Sequence, residues 1–200
     1  MNTKQAITQS EIHQLLASRW SPRAFDPKQA LSKQVITSLL EAARWAPSCF
    51  NDQPWRYIVC NKESNEDTWN RLFQCLAEKN KLWAINAPLL IAVCANSKFL
   101  HNDNPNRWGQ YDAGAATVSL CLQATALGLQ AHQMGGFDPD KVKKEFAVPD
   151  DVDCMAVVAV GHPGRTDLLH TDFQEAEKAE RQRLTLKEIA FTEKWDNGFD

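Results

Sequence analysis

Six consecutive apolar residues, Leu89-Leu90-Ile91-Ala92-Val93-Cys94, follow Pro88. The run is too short for a helix and rich in strand formers, so it reads as a strand. Two further strands are expected over Trp55–Cys60 and Met155–Val160, the latter closed by Gly161. Between them lie segments of helical character. Residues 9 to 18 read as a short helix with Ser10 as N-cap and Ile12, Leu15 and Leu16 on one face. Ser32 caps a second helix that places Val35, Ile36, Leu39, Leu40, Ala43 and Trp45 at its apolar positions and stops at Pro47. Others are expected at about 67–79, at about 109–127 with Gly128 in the C′ position, and from Pro139 with Asp138 as cap. Helices and about three strands interleave irregularly, which predicts an α+β fold with helices packed on a small sheet. A chain of 200 residues is long enough for one well-buried domain, and 1–200 is read as one.

A net charge of −3 gives no electrostatic case for nucleic acid or an anionic membrane as partner, so any anion site must be a local basic cluster. No stretch approaches the roughly 18 apolar residues of a membrane span. The first residues, MNTKQAITQSEIHQLL, show no secretory signal pattern. The six cysteines are scattered without a C-x-x-C pair, and Cys60, Cys94, Cys121 and Cys154 sit in apolar segments. The expectation is free thiols in a reducing, cytoplasmic compartment. Seven tryptophans suit a core, a dimer interface or a flat ligand.

Four segments could carry chemistry. Two prolines make Arg19-Trp20-Ser21-Pro22-Arg23 an extended loop, whose alternate positions Arg19, Ser21 and Arg23 share one face. Two guanidinium forks and a hydroxyl suit a phosphate, although a solvated basic loop beside Asp26 would have the same composition. In Ala46-Pro47-Ser48-Cys49-Phe50-Asn51-Asp52-Gln53-Pro54-Trp55, polar groups between a helix end and a strand start suit a polar ring edge or a ribityl chain; a rigid capping turn is the plainer reading. In His132-Gln133-Met134-Gly135-Gly136-Phe137, paired glycines let a ligand approach the backbone, or simply make a turn. Arg181-x-Arg183 lies in a charged, helix-like stretch and taken alone reads as a solvated face. The polar region Asn96–Arg107, with HNDNPN at its centre, reads as a mobile surface loop. There is no G-x-G-x-x-G after a strand, no P-loop, no H-E-x-x-H and no G-x-S-x-G elbow.

The order of these segments is more telling than any one of them. An R-x-S-x-R-x-F loop, then A-P-S-x-x-N-x-Q-P-W, then a D-x-G-A-A helix ending in A-x-G-L, a G-G-F turn and a late basic pair together resemble the FMN-dependent nitroreductase family. The likeness runs from about Ile12 to Phe191, and A-P-S-x-x-N-x-Q-P-W is its most specific part.

That resemblance implies a three-layer α+β sandwich on a mostly antiparallel sheet, an intertwined homodimer, and FMN at the subunit interface. It implies that Arg19, Ser21 and Arg23, with Trp20 through its backbone, bind FMN, and that Arg181 and Arg183 close on its phosphate from the other end of the chain. Pro47, Ser48 and Asn51 would come from the second subunit, and Met134, Gly135 and Gly136 would lie beside the ring, with the Gly135 N–H near flavin N5. NADH or NADPH would be the electron donor, a nitroaromatic or quinone the acceptor, and the kinetics ping-pong, with no side chain assigned as general acid. Lid-like regions at about Trp69–Ile85 and Asn96–Trp108 would shape the substrate pocket. Some members carry glutamate at the position of Gly135, and Cys49 is not a family signature, so substrate preference is not carried over. A flavin destructase, a reductive dehalogenase, an enone reductase and a flavin-binding protein without turnover are the rival readings.

Overall fold

The computed structural model describes residues 4–199. Its helices are α1 (Gln14–Ser18), α2 (Lys33–Arg44), α3 (Glu66–Gln74), α4 (Glu78–Ala84), α5 (Gly109–Ala126), α6 (Pro139–Phe146), α7 (Thr171–Lys178) and α8 (Leu186–Ile189). Its strands are β1 (Trp55–Asn61), β2 (Leu89–Asn96), β3 (Gln130–Met134) and β4 (Val152–Gly161), in the spatial order β1-β2-β4-β3. All three pairings are antiparallel.

Strand β2 explains the layering. Alternate side chains of a strand point to opposite faces, and every residue of β2 from Leu89 to Ala95 is buried, so both faces must be covered. Leu89, Ile91, Val93 and Ala95 pack against Leu39 and Ala43 of α2 and Ala113, Ala116 and Leu120 of α5. Leu90 and Ala92 face the other way, onto Trp69 and Leu72 of α3, Trp83 of α4 and Val142 of α6. The result is three layers, helices on either side of a four-stranded sheet. Each fully buried leucine or isoleucine here contributes about 1.5–3 kcal/mol.

Several expectations need correction. α1 starts later than expected, and its cap is His13, whose Nδ1 accepts from the Leu15 N–H at 3.2 Å; Ser10 lies outside the helix. Ile12 and Leu16 are exposed, as is Trp45, which ends α2 with the Arg44 guanidinium 5.0 Å over its ring. The single helix expected over 67–79 is broken into α3 and α4. Its backbone groups at 75–77 pair elsewhere: the Ala77 N–H donates to the Gly136 carbonyl at 2.9 Å and the Asp138 N–H to the Cys75 carbonyl at 2.8 Å. β3 was missed because its polar residues Gln130, His132 and Gln133 conceal an edge strand paired only with β4. The loop expected to be mobile at 96–107 is tied down, with the Phe99 N–H on Asn104, the Asn106 N–H on Ser97, and the Asn106 side chain buried. Residues 181 and 183 lie beyond α7, because Ala179 turns extended at ψ 148°.

Other boundaries agree with the sequence. Ser32 accepts from the Val35 N–H, Asp138 accepts from the Lys141 N–H, and Gly128 adopts φ +71°, a left-handed conformation that glycine reaches without Cβ strain. Among the described residues no helix is long and apolar enough to cross a membrane.

Candidate functional site

The segment after α1 runs extended and is fastened at three places. Glu177 of α7, only 4% exposed, accepts the Arg23 N–H at 2.9 and 3.1 Å and the Ala24 N–H at 3.0 Å. Phe25 bridges Pro163, beyond the end of β4, and the Gly164 N–H donates to the Ala24 carbonyl at 2.7 Å. A Cβ on Gly164 would stand 2.4 Å from the Phe25 carbonyl, so only glycine permits this approach. On the sheet side, His132 of β3 bonds the Pro22 carbonyl through Nδ1 at 2.9 Å. A carbonyl can only accept, so the Nδ1 tautomer carries the proton. Burial pushes the His132 pKa down to about 4 against the opposing pull of that bond, so the ring is neutral near pH 7.

This framing gathers basic residues from both ends of the chain. Arg181 Nη1 donates to the Ala17 carbonyl at 2.6 Å and the Lys4 carbonyl at 2.9 Å, bracing α1 and the first described residues. Burial, then the fields of Arg19 and Arg183, hold the Arg181 guanidinium below its ordinary pKa. Lys4 lies 4.4 Å over the Trp20 ring, and its pKa is lowered by burial first, raised by Glu177, and lowered again by Arg181 and Arg23. Arg23 stands 5.4 Å over Phe173, while Arg183 is exposed and donates to the Gln182 carbonyl. Lys4 feels Glu177, Arg181 and Arg23, and Arg181 feels Arg19 and Arg183, so the five cations form one connected group beside the buried Glu177, whose oxygens are engaged by backbone N–H groups. An anion bound here would relieve the mutual repulsion among these cations. Ser21 is exposed on the same loop.

The paired glycines behave differently from each other. Met134 ends β3 with its side chain in the core, 2% exposed, so only its backbone is free for a ligand. The Gly136 carbonyl accepts from the Ala77 N–H and from Asn80 Nδ2, both at 2.9 Å, and a Cβ there would meet Asn80 at 2.8 Å. A Cβ on Gly135 would meet nothing within 4 Å. Of the pair, Gly135 is the one whose α-carbon faces open space.

The Pro47–Gln53 turn is a third element, built by two buried carboxylates. Asp112, in the first turn of α5, accepts the Cys49 N–H at 3.0 Å. Asp52 accepts the Leu100 N–H at 2.8 Å and Asn106 Nδ2 at 3.3 Å. Ser48 Oγ accepts the Gln53 N–H at 3.0 Å. These bonds hold Phe50, Asn51 and Gln53 at φ 54°, 54° and 50°, a conformation costing non-glycine residues roughly 1–3 kcal/mol each. Pro47 and Asn51 are exposed and Ser48 is half-buried.

The first, third and fourth sequence segments therefore meet in one chain, and the second does not join them. The turn hangs on Asp112 at the start of α5, whereas the field of Arg19 reaches Cys121, nine residues further along that helix. Nine residues of α-helix span about 14 Å. Sequence reasoning missed Glu177, which looks like one more acid in a charged stretch, and the framing roles of His132, Asp52 and Asp112. Asp112 alone carried a signal, as the acid that heads the D-x-G-A-A pattern.

Known proteins share the fold and much of the sequence. A solved structure described as an oxidoreductase containing FMN superposes with a TM-score of 0.90 at 34% identity, covering 98% of each chain. A nitroreductase family protein of Clostridium difficile superposes at 0.68 with 26% identity, covering 90% of this chain and 96% of that one. An Archaeoglobus fulgidus protein provisionally named an NADH dehydrogenase/NAD(P)H nitroreductase is 28% identical over 177 residues, 84% of this chain and 91% of its own. The model of the nitroreductase family matches residues 16–162, which takes in the Arg19–Arg23 loop, the Pro47–Gln53 turn and the Gly135–Gly136 pair but stops short of Glu177, Arg181 and Arg183. With its three layers, its antiparallel sheet and that match, this chain belongs to the nitroreductase family.

Proposed function

We propose that the chain, as a single domain over residues 1–200, binds FMN and acts as an NAD(P)H-dependent oxidoreductase on small nitroaromatic or quinone acceptors. One observation carries the reading. Basic side chains from residues 4–23 and 181–183 act on one another beside the Glu177 clasp, and the same loop is bonded by His132, three residues before Gly135, where a Cβ would meet nothing. A cluster of cations suits a dianion and an unobstructed glycine backbone suits a flat ring, the two things a phosphorylated flat ring requires.

FMN, when bound, supplies a carrier that takes a hydride from NADH or NADPH and passes it to an acceptor. The chain's own part is to hold it. Arg19, Arg23, Arg181 and Arg183 neutralise the phosphate, Ser21 offers a hydroxyl, and the backbone at Trp20 adds further polar groups. Gly135 leaves room for a ring against its peptide, and the neutral His132 keeps the Pro22 carbonyl, and with it the arginine loop, in place. Met134 and Gly136 fix the ends of that peptide.

Pro47, Ser48 and Asn51 are assigned to the same site from a second copy. Two observations support a homodimer. The turn is separated along α5 from the arginines of its own chain, and large apolar side chains stand exposed beside it: Trp45 at 77% and Tyr111 at 74%. Next to Tyr111, Gly114 leaves space for a closely packed helix. Free thiols at all six cysteines fit a cytoplasmic protein.

The test is to purify the protein, record its flavin spectrum, and add NADH and NADPH separately without oxygen. Bleaching followed by reoxidation with a quinone is the expected result. A loaded protein bleached by neither donor would instead be a flavin-binding protein without turnover. Loss of flavin with turnover in air would point to a destructase.

A further inference from the structure

The turn that holds Ser48 and Asn51 also thrusts one aromatic side chain outward. Phe50, 80% exposed, meets Phe99 edge-to-face with ring centroids 5.9 Å apart and His101 with centroids 5.7 Å apart. Phe99 and His101 are themselves 5.3 Å apart, which closes the triangle. The three rings come from two separate segments, and one buried group joins them. Asp52 follows Phe50 and Asn51 in the turn, and its carboxylate accepts the Leu100 N–H between Phe99 and His101, while His101 Nδ1 stands 3.7 Å from the same carboxylate. An open cavity of about 520 Å³ is lined by Phe50, Asn51, Asp52, Gln53, Leu100 and His101. Its walls therefore include Asn51, assigned above to the flavin site.

We propose that Phe50, with Phe99 and His101, forms an aromatic wall of the acceptor site and makes the enzyme select flat, ring-bearing acceptors over compact ones without a ring. The inference rests on the FMN reading of Ser48 and Asn51 and names the selectivity of that site. An aromatic edge offers a flat acceptor the same edge-to-face contact that the three rings make with one another. The wall is held in advance: left-handed backbone at Phe50 and Asn51 is enforced by Asp52 and Asp112, so little ordering remains when an acceptor arrives. His101 adds a polar edge to two hydrocarbon rings, suited to a nitro or carbonyl oxygen.

The test uses FMN-loaded protein reduced anaerobically by NADH and mixed with 1,4-naphthoquinone or with ferricyanide, which has no ring. The readout is the ratio of the two second-order rate constants. Phe50→Asn removes the ring with a residue that tolerates the left-handed conformation, and Phe50→Trp keeps a ring. One ring contact corresponds to roughly three- to tenfold in affinity, so Phe50→Asn is expected to lower the naphthoquinone-to-ferricyanide ratio at least about threefold, and Phe50→Trp to lower it less than that. A smaller fall in Phe50→Asn, or an equal fall in both variants, overturns the proposal. So does an unmoved ratio accompanied by loss of dimer in sedimentation, which would make the cluster a subunit contact. Protein that takes up no FMN would overturn the oxidoreductase reading itself, and the wall with it.

Discussion

Removing the Glu177 carboxylate strikes the joint between the two ends of the chain. The side chain is 4% exposed and its oxygens receive the Arg23 and Ala24 N–H groups at 2.9–3.1 Å. Hydrogen bonds to a charged partner are each worth about 1.5–3 kcal/mol, and two donors are orphaned by Glu177→Ala. The Ala24 N–H is buried and has no substitute, whereas the Arg23 N–H is part-buried and recovers some of its loss from water. The expected cost is therefore roughly 2–4 kcal/mol rather than the full sum. Glu177→Gln retains one neutral acceptor and should lose about half as much. For a chain of this size each kcal/mol moves Tm by roughly 2–4 °C, so Glu177→Ala should melt several degrees lower. The assay is urea unfolding of both variants and the unaltered protein without flavin, followed by calorimetric FMN titration of each. FMN affinity should fall with the clasp, because Arg23 loses its fixed backbone, and Glu177→Gln should recover part of it. Stability of Glu177→Ala within about 0.5 kcal/mol of the unaltered protein, the range of ordinary surface changes, would refute the reasoning.

Other changes have equally definite outcomes. Arg19→Ala should weaken FMN binding by about 1.5–3 kcal/mol, one charged hydrogen bond, in a flavin titration; unchanged affinity would remove Arg19 from the site. His132 has a folded pKa of about 4 against an ordinary 6.5, so below pH 6.5 the unfolded chain takes up a proton that the native state refuses. Its contribution is complete above pH 6.5 and lost progressively down to about pH 4, by about 3 kcal/mol at most; urea midpoints against pH should show that acid slope in the unaltered protein and a shallower one in His132→Gln. Gly135→Ala should leave the melting temperature almost unmoved, since its Cβ would meet nothing, whereas Gly136→Ala must displace Asn80 and should melt lower. Asp112→Ala orphans the Cys49 N–H and should cost about 1–3 kcal/mol in urea unfolding, with a matching rise in proteolysis at the Pro47–Gln53 turn.

What the sequence revealed followed local chemistry. Ser32 and Asp138 are caps, Gly128 ends a helix, and Leu89–Cys94 is a strand, because each of these depends on residues within one turn of itself. The misreadings have non-local causes. The 67–79 helix breaks because Gly136 and Asp138 take its backbone groups from 60 residues away in sequence, and the 96–107 loop is fixed because Asp52 reaches into it. β3 escaped notice because an edge strand needs only one buried face, and His132 spends its polarity on Pro22. In the site, Arg19 and Arg23 were legible as chemistry suited to phosphate, whereas Arg181 and Arg183 read locally as a solvated face and joined them only through the family resemblance carried by order along the chain. Glu177 was not legible. An acid that binds backbone N–H groups 153 and 154 residues away looks, in sequence, like any solvated glutamate.

The central claim is that the two ends of the chain close on one phosphate, and the most direct measurement compares FMN with riboflavin, which lacks that group. By titration of the flavin-free protein, FMN should bind at least about a hundredfold more tightly than riboflavin, the value of two charged hydrogen bonds at the low end of their range. The preference should shrink in Arg19→Ala and again in Arg181→Ala. Equal affinity for the two flavins, or a preference that survives loss of both arginines, would contradict the account.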